Sequence, residues 1–286
     1  MNQTTIKESC LIPGGQGLHS GRRTHIAFHP APADHGIIFL RSDKNVKIPA
    51  DWRHAESSAL CTTIVKEGVE LTTVEHLLSV CSGMGIDNLL VELDAEEVPI
   101  FDGSGYAFFE KFSEIGLREL DQAKRVIRLL KPIQWVQGEI SISAMPSEEP
   151  HFTFSIDFEH DQVGKQEFQF HFTRANYAEQ IVRAKTFCRE EDIPKMQEMG
   201  LVKGGSEKNA IILAKDGGFK NMENMTWLNE PNLHKILDQI GDFYLAKNMH
   251  ILGNFFSHRS GHASHLAFLK YLLEERQDAW EEMAVN

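Results

Sequence analysis

The segment HKILDQIGD, residues 234–242, carries His234, Asp238 and Asp242 at every fourth position. On a helix these three share one stripe, with Lys235 beside it. Such a stripe usually marks a solvated face. It also has the makings of a metal site, because His234 and Asp238 sit one turn apart, where two ligands can close on one ion. A catalytic zinc commonly takes three protein ligands and leaves a position open to water, whose pKa it lowers to about 7. The segment TTVEHLL, residues 72–78, offers His76 as the third ligand.

Hydrolysis at such a centre also needs a base and an acid. Glu75 is next to His76, but on a helix the two side chains diverge by about 100°, so Glu75 is free to act as the base. His262, in RSGH at the start of a helix candidate, suits the acid, with Asp242 to orient and charge its imidazole. Each pairing alone is weak, since H-x-x-x-D is frequent by chance and a Lys235–Asp242 contact could be a plain surface ion pair. Glu75-His76 is not an HExxH motif. Neither GGQGLHSG nor KGGSEKNA has the register of a nucleotide-binding loop.

The elements that would position these groups come from an internal repeat spanning Thr72–Leu117 and Pro231–Arg276. Each copy reads as helix, apolar strand (NLLVEL or MHILGNFF), glycine-containing loop (DGSG or RSGH) and second helix. His76 precedes Ser104 by 28 residues, and His234 precedes His262 by the same 28. Helix capping accounts for the serine of DGSG. Around the repeats, THIAFHP, GIIFLR, ISISAMP, HFTFSIDF and EFQFHF alternate as antiparallel strands would. The expected fold is α+β, built from two duplicated units, 1–122 and 123–286, that meet at the polar stretch 118–125. Two segments read as insertions, DWRHAESSALCTTIVKEGVEL in the first unit and one near 190–215 in the second. Met196, Met199, Leu201 and Val202 in the latter could line an apolar passage, although core packing explains them as well.

The formal charge of -12, from 41 acidic and 29 basic residues, argues against a nucleic-acid or anionic-membrane partner. No apolar run reaches the roughly 18 residues of a membrane span, and no signal peptide precedes the first strand, so a cytoplasmic protein is expected. Cys10, Cys61, Cys81 and Cys188 are scattered and read as reduced, buried thiols.

Taken together, GLHSG (17–21), TTVEHLL (72–78), GIDN (85–88), PIFDGS (99–104), RAKTF (183–187), GLVKGGS (200–206), HKILDQIGD (234–242) and SGHA (260–263) resemble one family. It is that of the zinc-dependent UDP-3-O-acyl-N-acetylglucosamine deacetylases of bacterial lipid A synthesis. The resemblance implies one zinc per chain, with Fe2+ as an alternative, held by His76, His234 and Asp238. It makes Glu75 the general base, His262 the charged histidine that protonates the departing amine, and Asp242 its orienting partner. Thr186 is similar to the family's oxyanion donor, and Lys235 to the lysine that meets substrate near the diphosphate. Phe158, Phe187, Arg259 and His19 match substrate-contacting positions, and Met196, Leu201 and Val202 fall in the acyl-chain passage. The implied fold has the helices of two duplicated units, two from each, packed between two mainly antiparallel sheets. A monomer is expected, with no dehydratase-like second domain attached.

Two other readings remain open: a zinc deacetylase of a different N-acyl sugar, and a catalytically silent nucleotide-sugar-binding regulator on the same fold. The presence of ligands, base, acid and oxyanion donor together favours turnover.

Overall fold

Buried and more exposed residues alternate along Arg23–Pro30, Ile37–Arg41 and Leu89–Leu93, which with Cys10–Gln16 are strands of one five-stranded sheet. The computed structural model describes residues 1–58 and 60–285; Ala59, inside the first insertion, and Asn286 lie outside the described residues.

The sheet runs Cys10–Gln16, Arg23–Pro30, Leu89–Leu93, Ile37–Arg41, Val46–Pro49. Its central strand, last of the five in sequence, pairs antiparallel with the second and parallel with the third. The other half repeats this plan: Ile133–Gln137, Ile140–Pro146, His250–His258, His151–Asp157, Lys165–His171, with the last strand in sequence again central. It too pairs antiparallel with the second strand and parallel with the third. Arg125–Leu129 and Trp280–Ala284 extend this second sheet beside the start of the central strand. The sheets are therefore mixed, and GIIFLR and HFTFSIDF each have one parallel neighbour, which period-2 alternation cannot distinguish from an antiparallel one.

Four helices fill the space between the sheets: α1 (Glu75–Met84), α2 (Tyr106–Ile115), α4 (Glu230–Phe243) and α5 (His262–Lys270). A shorter helix, α3 (Ile193–Glu198), belongs to the second insertion. Phe108 and Phe112 of α2 meet Phe28 of the first sheet edge-on. Phe243 of α4 and Phe268 of α5 pack on Phe255 of the second. Helix α1 ends at Gly85, whose left-handed backbone (φ 76°) lets its N–H reach the carbonyls of Cys81 and Ser82. Helix α5 starts at His262, where Ser264 caps it through Gly261.

At the crossing of α1 and α4 the two backbones touch. A Cβ on Gly241 would lie 2.0 Å from the carbonyl oxygen of Glu75, so the α4 stripe meets the Glu75-His76 pair only because residue 241 has no side chain.

The stretch 118–125 is more than a linker. Leu117–Ala123 pairs antiparallel with Asn2–Ile6 as a surface ribbon, and the second half's first strand begins at Arg125. The first insertion folds as a three-stranded sheet, Ala55–Ser57, Thr62–Lys66 and Val69–Thr72. In the second, Ile211–Leu213 pairs parallel with Phe187–Arg189. Cys61 and Cys81 are buried, whereas Cys10 and Cys188 are partly exposed; all four are free thiols. No helix among the described residues is long and apolar enough to cross a membrane.

Candidate metal centre and active site

Helices α1 and α4 bring His76, His234 and Asp238 into one group, with one ligand atom from each lying within 4.8 Å of the others. All three are buried, at 4%, 3% and 1% exposure. Nε2 of His234 is 3.2 Å and Nε2 of His76 3.8 Å from Asp238 Oδ1. That oxygen nevertheless has no hydrogen-bond partner among the described residues. A buried carboxylate oxygen left so, with two imidazole nitrogens turned toward it, is costly unless a cation sits between them.

The protonation states agree with that use. Burial, then His234 beside it, pushes the His76 imidazole down to about 3, and burial lowers that of His234 as well. Burial disfavours the charged form of Asp238 too, but His234 and Lys235 outweigh it and keep the carboxylate ionised. Two neutral imidazoles and one carboxylate are a donor set for a divalent transition metal. His234 Nδ1 donates to the Ala184 carbonyl at 2.9 Å, which fixes the tautomer and leaves Nε2 as the ligand atom. Lys235 donates to Asp238 Oδ2 at 2.7 Å.

The acid-base candidates flank this group. Glu75 Oε2 accepts the Thr62 N–H at 3.0 Å, and Glu75 Oε1 is 3.9 Å from His262 Nε2. Burial pushes the Glu75 carboxyl up to about 8 against the pull of His262. His262 Nε2 also lies 3.8 Å from Asp238 Oδ2. Burial acts to neutralise His262, but Asp242, Asp238 and Glu75 outweigh it and raise the imidazolium to about 9. Its Nδ1 donates to Asp242 Oδ2 at 2.9 Å.

Three residues absent from the sequence expectation complete this corner. His265 Nδ1 donates to the same Asp242 oxygen at 2.7 Å, Thr62 donates to the other, and the Ser260 hydroxyl holds His265 Nε2 at 3.1 Å. The signal for His265 was a second histidine three residues after His262, one turn along α5. Glu230, at the head of α4, is the other omission. It accepts the N–H groups of Lys185 and Thr226, pinning RAKTF to the helix that carries His234.

Two hollows adjoin the centre. The first is an apolar cavity of about 140 Å³ whose wall includes His19, Thr186, Phe187, Met196, Val202 and Ile212. Leu201 does not line it, and Met199 points to solvent. Both ring nitrogens of His19 are buried there without partners among the described residues. The second is a polar cleft of about 660 Å³ between Phe158, Lys235, Arg259 and Arg189. Phe187 stands between the hollows, edge-on to both Phe158 and His234. Arg259 has a left-handed backbone (φ 51°) and an ion pair to Glu139 at 2.9 Å.

Residues 3–274 match the family described as "LpxC: UDP-3-O-acyl N-acetylglycosamine deacetylase". The UDP-3-O-acyl-N-acetylglucosamine deacetylase of Acidithiobacillus ferrooxidans is 40% identical over 286 aligned residues, covering 98% of this chain and 92% of that protein. Those of Histophilus somni and Hahella chejuensis are each 38% identical, covering 98% of this chain and 92% and 93% of theirs.

Proposed function

Because the chain belongs to the UDP-3-O-acyl N-acetylglycosamine deacetylase family, we propose that it hydrolyses the N-acetyl amide of a UDP-3-O-acyl-N-acetylglucosamine to acetate and the free 2-amine, a step of lipid A biosynthesis. The observation that carries this reading is the convergence of His76 and Glu75 from one helix with His234, Asp238 and Asp242 from another, closed by His262.

His76, His234 and Asp238 would hold one zinc, or Fe2+, whose Lewis acidity lowers the pKa of water and polarises the amide carbonyl. Glu75, in the carboxylate form that a cation at this centre would favour against its burial, takes the proton from the attacking water on the oxygen that Thr62 leaves free. A C–O bond forms at the carbonyl carbon, the C–N bond breaks, and His262 gives its Nε2 proton to the leaving nitrogen. Asp242 keeps His262 charged and oriented through Nδ1. The Thr186 hydroxyl, on the cavity wall, donates to the developing oxyanion. The apolar cavity with Met196 and Val202 takes the acyl chain, beside His19. The polar cleft takes the nucleotide, with Lys235 and Arg259 toward the diphosphate and Phe158 and Phe187 toward the rings. The protein acts as a cytoplasmic monomer of two duplicated units, 1–122 and 123–286, a division that the shared strand order of the sheets supports.

Acetate release from the UDP sugar with 3-O-acyl chains of several lengths, and with none, tests the substrate. Each methylene buried in the cavity is worth about 0.8 kcal/mol, so removing the chain should lower kcat/KM by about 10² or more. Equal turnover without the chain would point to a different N-acyl sugar.

A further inference from the structure

We propose that Glu149, His151 and His171 form a second site for a divalent transition-metal ion, on the outer face of the second sheet. His171 is the direct cross-strand partner of His151, and Glu149, in the bend that leads through Pro150 into that strand, brings its carboxylate to His171. The alternate strand residues Phe152, Phe154 and Phe170 are buried, so His151 and His171 face away from the core that holds the catalytic donors.

The three offer one ligand atom each, all within 4.8 Å of one another. Two donors about 2.1 Å from one ion can sit no more than about 4.2 Å apart, so modest side-chain rotation closes the site. The imidazoles of His151 and His171 already stack at 4.4 Å between ring centres, with planes 19° apart. His171 Nε2 is 2.6 Å from Glu149 Oε2, and His151 makes no side-chain hydrogen bond among the described residues. Two imidazoles and a carboxylate favour Cu2+, Ni2+ and Zn2+ over Mg2+ or Ca2+, and partial exposure leaves the remaining positions to water. An ion held there would tie strand His151–Asp157 to strand Lys165–His171 at their open end.

The donor set matches that of the catalytic centre, so the test starts from enzyme already loaded with zinc. This protein and its His151→Ala/His171→Ala variant are equilibrated with Ni2+, passed through a desalting column and analysed for both metals. The expected result is one more equivalent of nickel on the parent than on the variant, with equal zinc and equal deacetylase activity. Nickel should also raise the Tm of the parent and not that of the variant. Equal nickel on both proteins would overturn the site. Should the double variant fold poorly, His151→Asn and His171→Asn are compared singly, and unchanged nickel uptake by both would be equally decisive.

Discussion

Glu75→Ala and His262→Ala are each expected to keep a full equivalent of metal while kcat falls by about 10² to 10⁴, the range for losing one positioned proton-transfer group. Neither residue belongs to the trio built by His76, His234 and Asp238, and His262 Nε2 lies 3.8 Å from the nearer oxygen of Asp238. Their contributions are linked, because the two face each other at 3.9 Å, so the double variant should lose less than the product of the single losses. Metal analysis and single-turnover acetate release on the same preparations check this. Loss of metal from both single variants would make Glu75 and His262 structural supports of the centre.

The second large effect is expected at a residue that touches no substrate. Gly241 lies inside α4, where Ala would ordinarily stabilise a helix by up to about 1 kcal/mol. Here the added Cβ would stand 2.0 Å from the carbonyl oxygen of Glu75 and 2.8 Å from its carbonyl carbon, both backbone atoms that no rotamer change can move. Restoring ordinary contact requires α1 and α4 to separate by roughly 1–1.5 Å. That displacement acts along the seam where one helix presents His76 and the other His234 and Asp238, and a misplacement of about 1 Å can cost 10²-fold in rate. Gly241→Ala should therefore lower metal affinity and kcat together and destabilise the fold by about 1–3 kcal/mol. Urea unfolding and metal titration measure both, and a more stable, fully active variant would show that the helices do not depend on this contact.

Much of this arrangement was legible in the sequence because it rests on local periodicity. The spacing of His234, Asp238 and Asp242 needs only one helix, and the repeat supplied the partner helix with Glu75 and His76. The alternating runs named their strands correctly, since period 2 reports burial on one face. What they could not report is neighbour identity, hence the unforeseen parallel pairs of Ile37–Arg41 and His151–Asp157. Thr62 escaped notice for the same reason: it reaches Asp242 across 180 residues of chain from a segment that looked like a mere insertion. The Ala184 carbonyl carries no side-chain signature, so its hold on His234 had no trace in residue type. Leu201 is placed differently from its neighbours. It lies in an apolar stretch matching the family, but the turn through Val202 (φ 50°) brings Met196 and Val202 to the cavity and leaves Leu201 off its wall.

The most direct measurement combines metal content with acetate release. Protein prepared without chelator should carry about one equivalent of zinc or iron per chain; stripping it should abolish acetate release from the UDP-linked, 3-O-acylated substrate, and zinc should restore it. His234→Ala should neither retain the metal nor recover. Protein that binds no metal and releases no acetate after zinc addition, with the substrate present at saturation, would contradict the account.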